Sequence, residues 1–228
     1  MDGAAVDAGA LSLCEGGVPP MPRSMAYLIY TSGSTGVPKG VCCHHSGAMN
    51  TCCDLNGRFE VGSSDRTLAL SSMSFDLSVY DVFGMSECGG AIVVPASESV
   101  SPPDPERWLE LVESEGVTLW NTVPAFMEML VRYVEHAGKQ LPACLRLVWM
   151  SGDWIPLSLP SRIRSVAANK DIRVISMGGA TEAAVWSNTY EIPAAINPEW
   201  TSIPDGVPMR NQAMYILDSN LDHCEALV

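Results

Sequence analysis

Short apolar runs recur along this chain between segments rich in glycine, proline and polar residues. Val117–Val123, Leu145–Ser151 and Arg173–Met177 have the length and composition of buried strands. A further run, Ala26–Tyr30, leads into a glycine- and hydroxyl-rich segment, and Ala213–Asp218 predicts one more strand. The pattern therefore predicts a sheet with several buried strands.

Amphipathic segments separate the buried runs and predict helices. Apolar residues recur at helical spacing after Pro124, as Met127, Leu130, Val131 and Val134. Asp104 before Pro105 is a helix start, and Gly116 closes that helix. Leu159–Ala168 predicts another helix.

The alternation of strands and helices predicts an α/β fold, with a parallel or mixed sheet flanked by helices. In open parallel sheets, ligands bind beyond the carboxyl ends of the strands. Those ends are Asn121, Ser151–Gly152 and Met177–Gly179. We expect a binding site bounded by these residues.

Composition limits the classes of partner. The 228 residues suffice for one large domain, and a charged fraction of 17% beside an apolar fraction of 47% indicates a globular protein. A net charge of -13 disfavours nucleic acid and anionic membranes, which leaves a small molecule or a protein. With no apolar stretch of membrane-spanning length, we expect a cytoplasmic protein. Residues 1–24, rich in Ala, Gly and Pro, are predicted to be poorly structured.

The eight cysteines include the run Cys42-Cys43-His44-His45, which has the letters of a zinc site. Neighbouring residues of a strand point to opposite faces and cannot close on one ion. We therefore expect reduced, partly buried thiols.

The segment Tyr30–Gly40 has the composition of a phosphate-binding loop. Its glycines let backbone N–H groups turn toward an anion, its hydroxyls add donors, and Lys39 adds charge. A Walker loop does not fit, because Gly33 and Gly36 are too close together and Lys39 follows a proline. A flexible linker is also disfavoured, because it would not follow a strand and end in Pro-Lys-Gly.

Ala26–Gly40 resembles the signature loop of the adenylate-forming enzymes, which include acyl- and aryl-CoA ligases, luciferases and adenylation domains of nonribosomal peptide synthetases. Val41, His45 and Asn50 continue the match. The resemblance implies that the loop handles the β- and γ-phosphates of ATP, with Lys39 catalytic. The residues it assigns to the nucleotide are Thr31, Ser32, Gly33, Ser34, Thr35, Gly36 and Lys39.

Gly178-Gly179-Ala180-Thr181-Glu182 follows the third buried strand. By pattern alone it is a helix N-terminus or a ligand site. It resembles the family motif that places Thr181 at the α-phosphate and Glu182 at Mg²⁺, both catalytic. Gly178 and Ala180 depart from the usual aromatic and proline, which puts the adenine-stacking surface in question. Gly152, after the second buried strand, resembles the element on the adenine side.

Ser74–Tyr80 contains Asp76, which by pattern alone is a helix N-cap. The segment also resembles the motif of amino-acid-activating adenylation domains, in which this aspartate meets the α-ammonium of the substrate. A buried ammonium needs a paired anion. The residues that match the family's substrate pocket resemble its cysteine-selecting pattern: Asp76, Leu77, Tyr80, Asn121, Trp149, Ser151, Met177, Val185 and Trp186.

The resemblance covers residues 25–228 and implies the middle part of the large N-terminal subdomain of an adenylate-forming enzyme. We expect a partial adenylation domain, inactive alone, that activates an amino acid, by preference L-cysteine, with ATP and Mg²⁺. The acceptor is phosphopantetheine on a carrier protein. Two alternatives remain: an acyl- or aryl-CoA ligase, and a non-catalytic nucleotide-binding remnant.

Overall fold

The computed structural model describes residues 21–32 and 36–224. The strands are β1 Met25–Thr31, β2 Lys39–His44, β3 Arg66–Leu68, β4 Ala91–Val93, β5 Leu119–Thr122, β6 Leu147–Ser151, β7 Arg173–Gly178, β8 Asn188–Glu191 and β9 Val207–Pro208. The helices are α1 His45–Phe59, α2 Leu77–Val79, α3 Met85–Cys88, α4 Ser97–Val100, α5 Pro105–Ser114, α6 Pro124–Ala137 and α7 Leu159–Val166. A π-helical turn at Tyr80–Gly84 joins α2 to α3, and Thr181–Ala183 forms a 3-10 turn.

Seven strands form one mixed sheet in the order β4-β3-β5-β6-β7-β8-β9. The first five in that order are parallel, and β8 and β9 add antiparallel strands at one edge. The predicted α/β fold and its three buried strands are confirmed. Among the described residues, β1 pairs only with β2, as an antiparallel hairpin separate from this sheet.

The three predicted helices are confirmed and begin where the sequence indicates. The Arg107 N–H donates to the Asp104 carboxylate at 3.1 Å ahead of α5, and Pro124 occupies the first turn of α6. Gly138 ends α6 in the left-handed conformation. Within residues 21–32 and 36–224, none of the helices has the length and apolar character needed to cross a membrane.

The two faces of the sheet carry different layers. Trp120, Val148 and Val174 pack with α5, α6 and α7 in one core cluster. Residues one position along each strand pack with α1 and α2 in a second cluster, among them Trp149 and Met177. Because side chains alternate along a strand, the predicted substrate residues of β5, β6 and β7 share the face that meets α2.

The predicted strand Ala213–Asp218 is wrong. This segment is extended, but within the described residues it makes only an isolated bridge between Leu217 and His223. Tyr215 and Ile216 are each 67% exposed. The apolar composition favoured a strand, but no described strand lies alongside to complete its backbone hydrogen bonds.

Candidate functional site

A cavity of about 520 Å³ opens at the carboxyl ends of β5, β6 and β7, where the topology predicts it. Its wall is mainly apolar, with Leu70, Leu77, Val123, Phe126, Val185 and Trp186. Polar side chains also line it, among them Asp76, Ser151 and Thr181. A concave apolar site with a few convergent polar groups is the usual form of a small-molecule site.

Five of the nine predicted substrate residues line this cavity: Asp76, Leu77, Ser151, Val185 and Trp186. The other four are buried and are not on its wall: Tyr80, Asn121, Trp149 and Met177. They belong to the sheet face and helix behind it, so they can act on a ligand through the residues that line the wall. Their direct contact with substrate stays a prediction.

An aromatic cluster supports the wall from beneath. The ring of Trp149 lies 4.8 Å from that of Tyr80 and 6.1 Å from that of Trp186, measured between centroids, both edge to face. The Tyr80 hydroxyl donates to Asn56 Oδ1 of α1 at 2.5 Å. The position of Trp186 at the cavity is therefore fixed by buried neighbours.

Asp76 stands just before α2 and is only 8% exposed. Its carboxylate accepts no capping hydrogen bond from α2, which lies wholly in the described residues, so the N-cap interpretation fails for its side chain. Burial raises the pKa of Asp76 above its usual range, although the Thr181 hydroxyl favours the ionised form. The described residues supply no Lys or Arg to pair with it.

Asp81 is a second buried carboxylate, in the π-helical turn after α2, and sequence reasoning missed it. One of its oxygens accepts a hydrogen bond from the Asn121 amide at 2.8 Å, while the other has no partner among the described residues. Burial raises the pKa of Asp81 to about 7, and the bond from Asn121 opposes the shift. An acidic residue inside the apolar run Val79–Phe83 was the available signal.

Thr181 and Glu182 face different spaces. Thr181 lines the apolar cavity, whereas Glu182 is exposed and lines a separate polar cavity of about 500 Å³ with His44, Asn50 and Gln212. The 3-10 turn that begins at Thr181 produces this divergence. A ligand that bridges the two spaces would meet the hydroxyl on one side of the turn and the carboxylate on the other.

The β1–β2 hairpin contacts this turn through a thiol. Cys43 Sγ donates to the Thr181 carbonyl at 3.2 Å. Lys39 lies four residues earlier on β2, about 13 Å away at the rise of a strand, and is exposed together with Ser32 and Gly36. Thr31 pairs with Lys39 across the hairpin. The predicted nucleotide residues Gly33, Ser34 and Thr35 lie outside the described residues.

The Cys-Cys-His-His run does not form a metal cluster in the structure. Cys42 is exposed and Cys43 buried, as alternation along β2 predicts, and both thiols are free. His44 Nδ1 accepts from the Gly47 N–H at 2.9 Å at the start of α1. Across residues 21–32 and 36–224, no group of three or more Cys, His, Asp or Glu side chains could hold a metal ion.

Comparison with known proteins gives the family. The sequence matches the AMP-binding enzyme family over residues 5–226. The chain belongs to the AMP-binding enzyme family. It is 47% identical over 197 residues to the anguibactin system regulator of Vibrio anguillarum, covering 86% of this chain and 18% of that protein. It is 44% identical over 216 residues to pyochelin synthetase PchF of Pseudomonas aeruginosa, covering 90% of this chain and 11% of that protein.

The same fold occurs in the nonribosomal peptide synthetase FmoA3. Its α-methyl-L-serine-AMP bound form has a TM-score of 0.80 and 46% identity, covering 89% of this chain and 22% of that one. FmoA3 is also known in an AMPPNP-bound form. This AMP-binding chain therefore spans less than one quarter of each of these three proteins.

Close packing at the end of β7 explains why this AMP-binding chain has glycines there. A Cβ on Gly178 would lie 2.5 Å from the Asn188 side chain, and one on Gly179 would lie 2.6 Å from the Trp186 Cα. Gly179 also lines the cavity, as does Gly152, which has a φ of +82°. A side chain at Gly178 would therefore require Asn188 to move.

Proposed function

We propose that this chain forms part of an amino-acid adenylation domain of nonribosomal peptide synthesis. The reaction is attack of an amino-acid carboxylate on the α-phosphate of ATP, which gives aminoacyl-AMP and pyrophosphate. The aminoacyl group then passes to the phosphopantetheine thiol of a carrier protein. The observation that carries the proposal is the buried carboxylate of Asp76 in a mainly apolar cavity, where no Lys or Arg of the described residues pairs with it.

Asp76 distinguishes amino acids from other carboxylic acids as substrates. An ionised carboxylate in an apolar cavity is costly unless a cation pairs with it. The raised pKa of Asp76 reflects that cost, and a bound α-ammonium would reverse the shift. Fatty and aryl acids have no ammonium group, so a ligase for them would gain nothing from this buried charge.

The nucleotide is proposed to occupy the surface around the Thr181–Ala183 turn. Thr181 would meet the α-phosphate, Gly152 and Gly179 would border the adenosine, and the loop from Thr31 to Lys39 would meet the β- and γ-phosphates. Such a site acts mainly by positioning and by stabilising charge.

Glu182 fits the role of a carboxylate ligand to a phosphate-bound Mg²⁺. Its side chain is exposed and accepts no hydrogen bond within the described residues, so it is free to bind an ion. Mg²⁺ usually takes one or two protein carboxylates, with phosphate oxygens and waters for the rest. When bound, the ion would neutralise developing phosphate charge.

The proposed substrate is L-cysteine, with L-serine second. Leu77, Val185 and Trp186 leave an apolar wall that suits a small, weakly polar side chain. The similar FmoA3 binds α-methyl-L-serine-AMP, also an adenylate of a small β-substituted amino acid. Because an apolar pocket separates near-isosteres by only about 10- to 200-fold, we expect some activation of serine.

Amino-acid-dependent exchange of pyrophosphate into ATP tests this function. In the complete adenylation domain, cysteine should give the fastest exchange, and free fatty and aryl acids should give none. Best activity with a fatty or aryl acid would support the CoA-ligase alternative, and nucleotide binding without exchange would support the remnant. The 228 residues alone should be inactive, because the resemblance implies a ribose-binding aspartate and a lysine from other segments.

A further inference from the structure

The backbone from Ala184 to Trp186 is strained. Ala184 has a φ of 61° and Val185 a φ of 79°. The Trp186 N–H donates to the Ala184 carbonyl at 3.1 Å, which closes a γ-turn around Val185. A β-branched residue at positive φ is a genuine outlier, and such strain persists only where the surroundings hold it.

This γ-turn sets part of the cavity wall. Val185 and Trp186 both line the cavity, although they are 4% and 1% exposed. The turn directs the chain back along β7, where the Ser187 N–H donates to the Gly178 carbonyl at 2.8 Å. Relaxation of Val185 to negative φ would therefore redirect both side chains.

One side chain from a distant part of the sequence holds the turn. The Thr51 hydroxyl donates to the Ala184 carbonyl at 2.8 Å, in a bond that spans 133 residues. Thr51 lies inside α1, is 1% exposed and does not line the cavity. A helical threonine ordinarily bonds to a carbonyl of its own preceding turn, so this contact is made at the expense of a local one.

The bond from Thr51 acts on the acceptor that defines the turn. The Ala184 carbonyl receives the Trp186 N–H and the Thr51 hydroxyl together, which fixes its direction. Cys43, eight residues before Thr51, donates a hydrogen bond to the Thr181 carbonyl. The segment from β2 to α1 therefore donates hydrogen bonds to the Thr181 carbonyl, at the start of the 3-10 turn, and to the Ala184 carbonyl, directly after it.

We propose that Thr51 is a positioning residue for the amino-acid pocket, which holds Val185 and Trp186 in their strained placement at the cavity wall. This rests on the proposed function, in which those two side chains contact the amino acid. Thr51 itself touches no substrate. Its loss should weaken recognition of the amino acid and leave recognition of ATP intact.

The test compares Thr51→Val with Thr51→Ser in the complete adenylation domain. Valine keeps the shape and removes the donor, whereas serine keeps the donor. In Thr51→Val, amide hydrogen exchange of residues 184–187 should quicken about tenfold, and the KM for cysteine should rise about five- to tenfold, as expected for one lost buried hydrogen bond. The KM for ATP should stay within twofold, and Thr51→Ser should resemble the parent in every measurement.

A second substitution separates positioning from general stability. Ala184→Gly lowers the cost of positive φ, so adding it to Thr51→Val should recover at least half of the lost affinity for cysteine. Unchanged exchange at residues 184–187, or faster exchange with an unchanged KM for cysteine, would overturn the inference. A parent that activates no amino acid would instead overturn the proposed function, and with it the role of Thr51.

Discussion

At the amino ends of the parallel strands a buried carboxylate is fully paired, whereas at their carboxyl ends two buried carboxylates lack a cationic partner in the described residues. Asp65 directly precedes β3 and is 4% exposed. Asp76 and Asp81 follow the same strand and are 8% and 1% exposed. One stretch of chain thus places similar side chains at opposite ends of the sheet with opposite surroundings.

Hydrogen bonds to Asp65 connect the starts of β3, β5 and β6. Arg146, just before β6, donates to both of its carboxylate oxygens at 2.8 Å, and the Thr118 hydroxyl, just before β5, donates at 2.7 Å. The Gly62 N–H completes the set at 2.9 Å. Burial alone would raise the pKa of Asp65, but these bonds outweigh it and hold the pKa below its usual value.

The two carboxylates at the carboxyl end of the sheet lack a cationic partner among the described residues. The pKa values of Asp76 and Asp81 are both raised by burial, and neither receives an Arg or Lys from the described residues. A carboxylate whose hydrogen bonds are complete stabilises a fold, while one left unpaired in a cavity is a candidate for binding. The carboxylate at the amino end of the sheet therefore has a structural role, and the carboxyl end holds the candidate site.

The largest effect on stability should come from Arg146→Met, which leaves Asp65 buried and unpaired. We expect a loss of about 3 kcal/mol in the free energy of unfolding, since removing one partner of a buried pair strands the other charge. Urea denaturation measures this loss. The matched control is Arg107→Met, whose pair with Glu110 is exposed on both sides and should matter by less than about 1 kcal/mol. Equal effects would remove the distinction between the two kinds of pair.

An intermediate effect should appear when Asp81→Asn is compared with the parent across pH. The folded pKa of about 7 lies above the ordinary value of 3.8, so the favourable contribution of the protonated form is complete below pH 3.8 and is lost as the pH rises through about 7. Asparagine stays neutral and keeps an oxygen for Asn121. The parent should therefore lose up to roughly 1.4 kcal/mol relative to the variant for each pH unit in this window.

Denaturation at pH 5.5 and at pH 8 gives this comparison. The variant should gain on the parent at the higher pH. Asp171→Asn, at an exposed position, serves as the control and should follow the parent at both values. Parallel curves for Asp81→Asn and the parent would show that Asp81 does not titrate in this range.

The smallest change in stability should follow Asp76→Asn. Its carboxylate has no ion pair to lose among the described residues, so the free energy of unfolding should move by less than about 1 kcal/mol, with a gain more expected than a loss. The same denaturation series measures it. A loss close to that of Arg146→Met would assign Asp76 a structural role and would end the contrast between the two ends of the sheet.

Local signals in the sequence predicted most of the fold. Apolar runs located β5, β6 and β7, and the Asp104-Pro105 and Pro124 starts located two helices, because strand length and helix capping depend on near neighbours. The prediction of a strand at Ala213–Asp218 was wrong because it also rested on local composition. A strand needs a neighbouring strand to pair with, and composition does not reveal one. The site was predicted by topology and family resemblance, which led to Asp76 and Thr181.

Contacts between distant residues were not predictable. Thr51 reaches Ala184 across 133 residues, and nothing in its neighbourhood marks that bond. Trp149, which the resemblance placed in the pocket, is fully buried against Tyr80 and Trp186. Such placements depend on how α1 and α2 pack on the sheet, which is a property of the assembled core.

The most direct test of the central claim uses the complete adenylation domain, as the parent and as Asp76→Asn. It measures kcat/KM for pyrophosphate exchange with L-cysteine and with 3-mercaptopropionate, which lacks the ammonium group. If Asp76 pairs with the α-ammonium, the parent should prefer cysteine, and the substitution should lower kcat/KM for cysteine by roughly 30-fold or more, as for loss of a buried charge partner. Activity with 3-mercaptopropionate should hold or rise. An equal loss with both acids, or none with cysteine, would contradict the account.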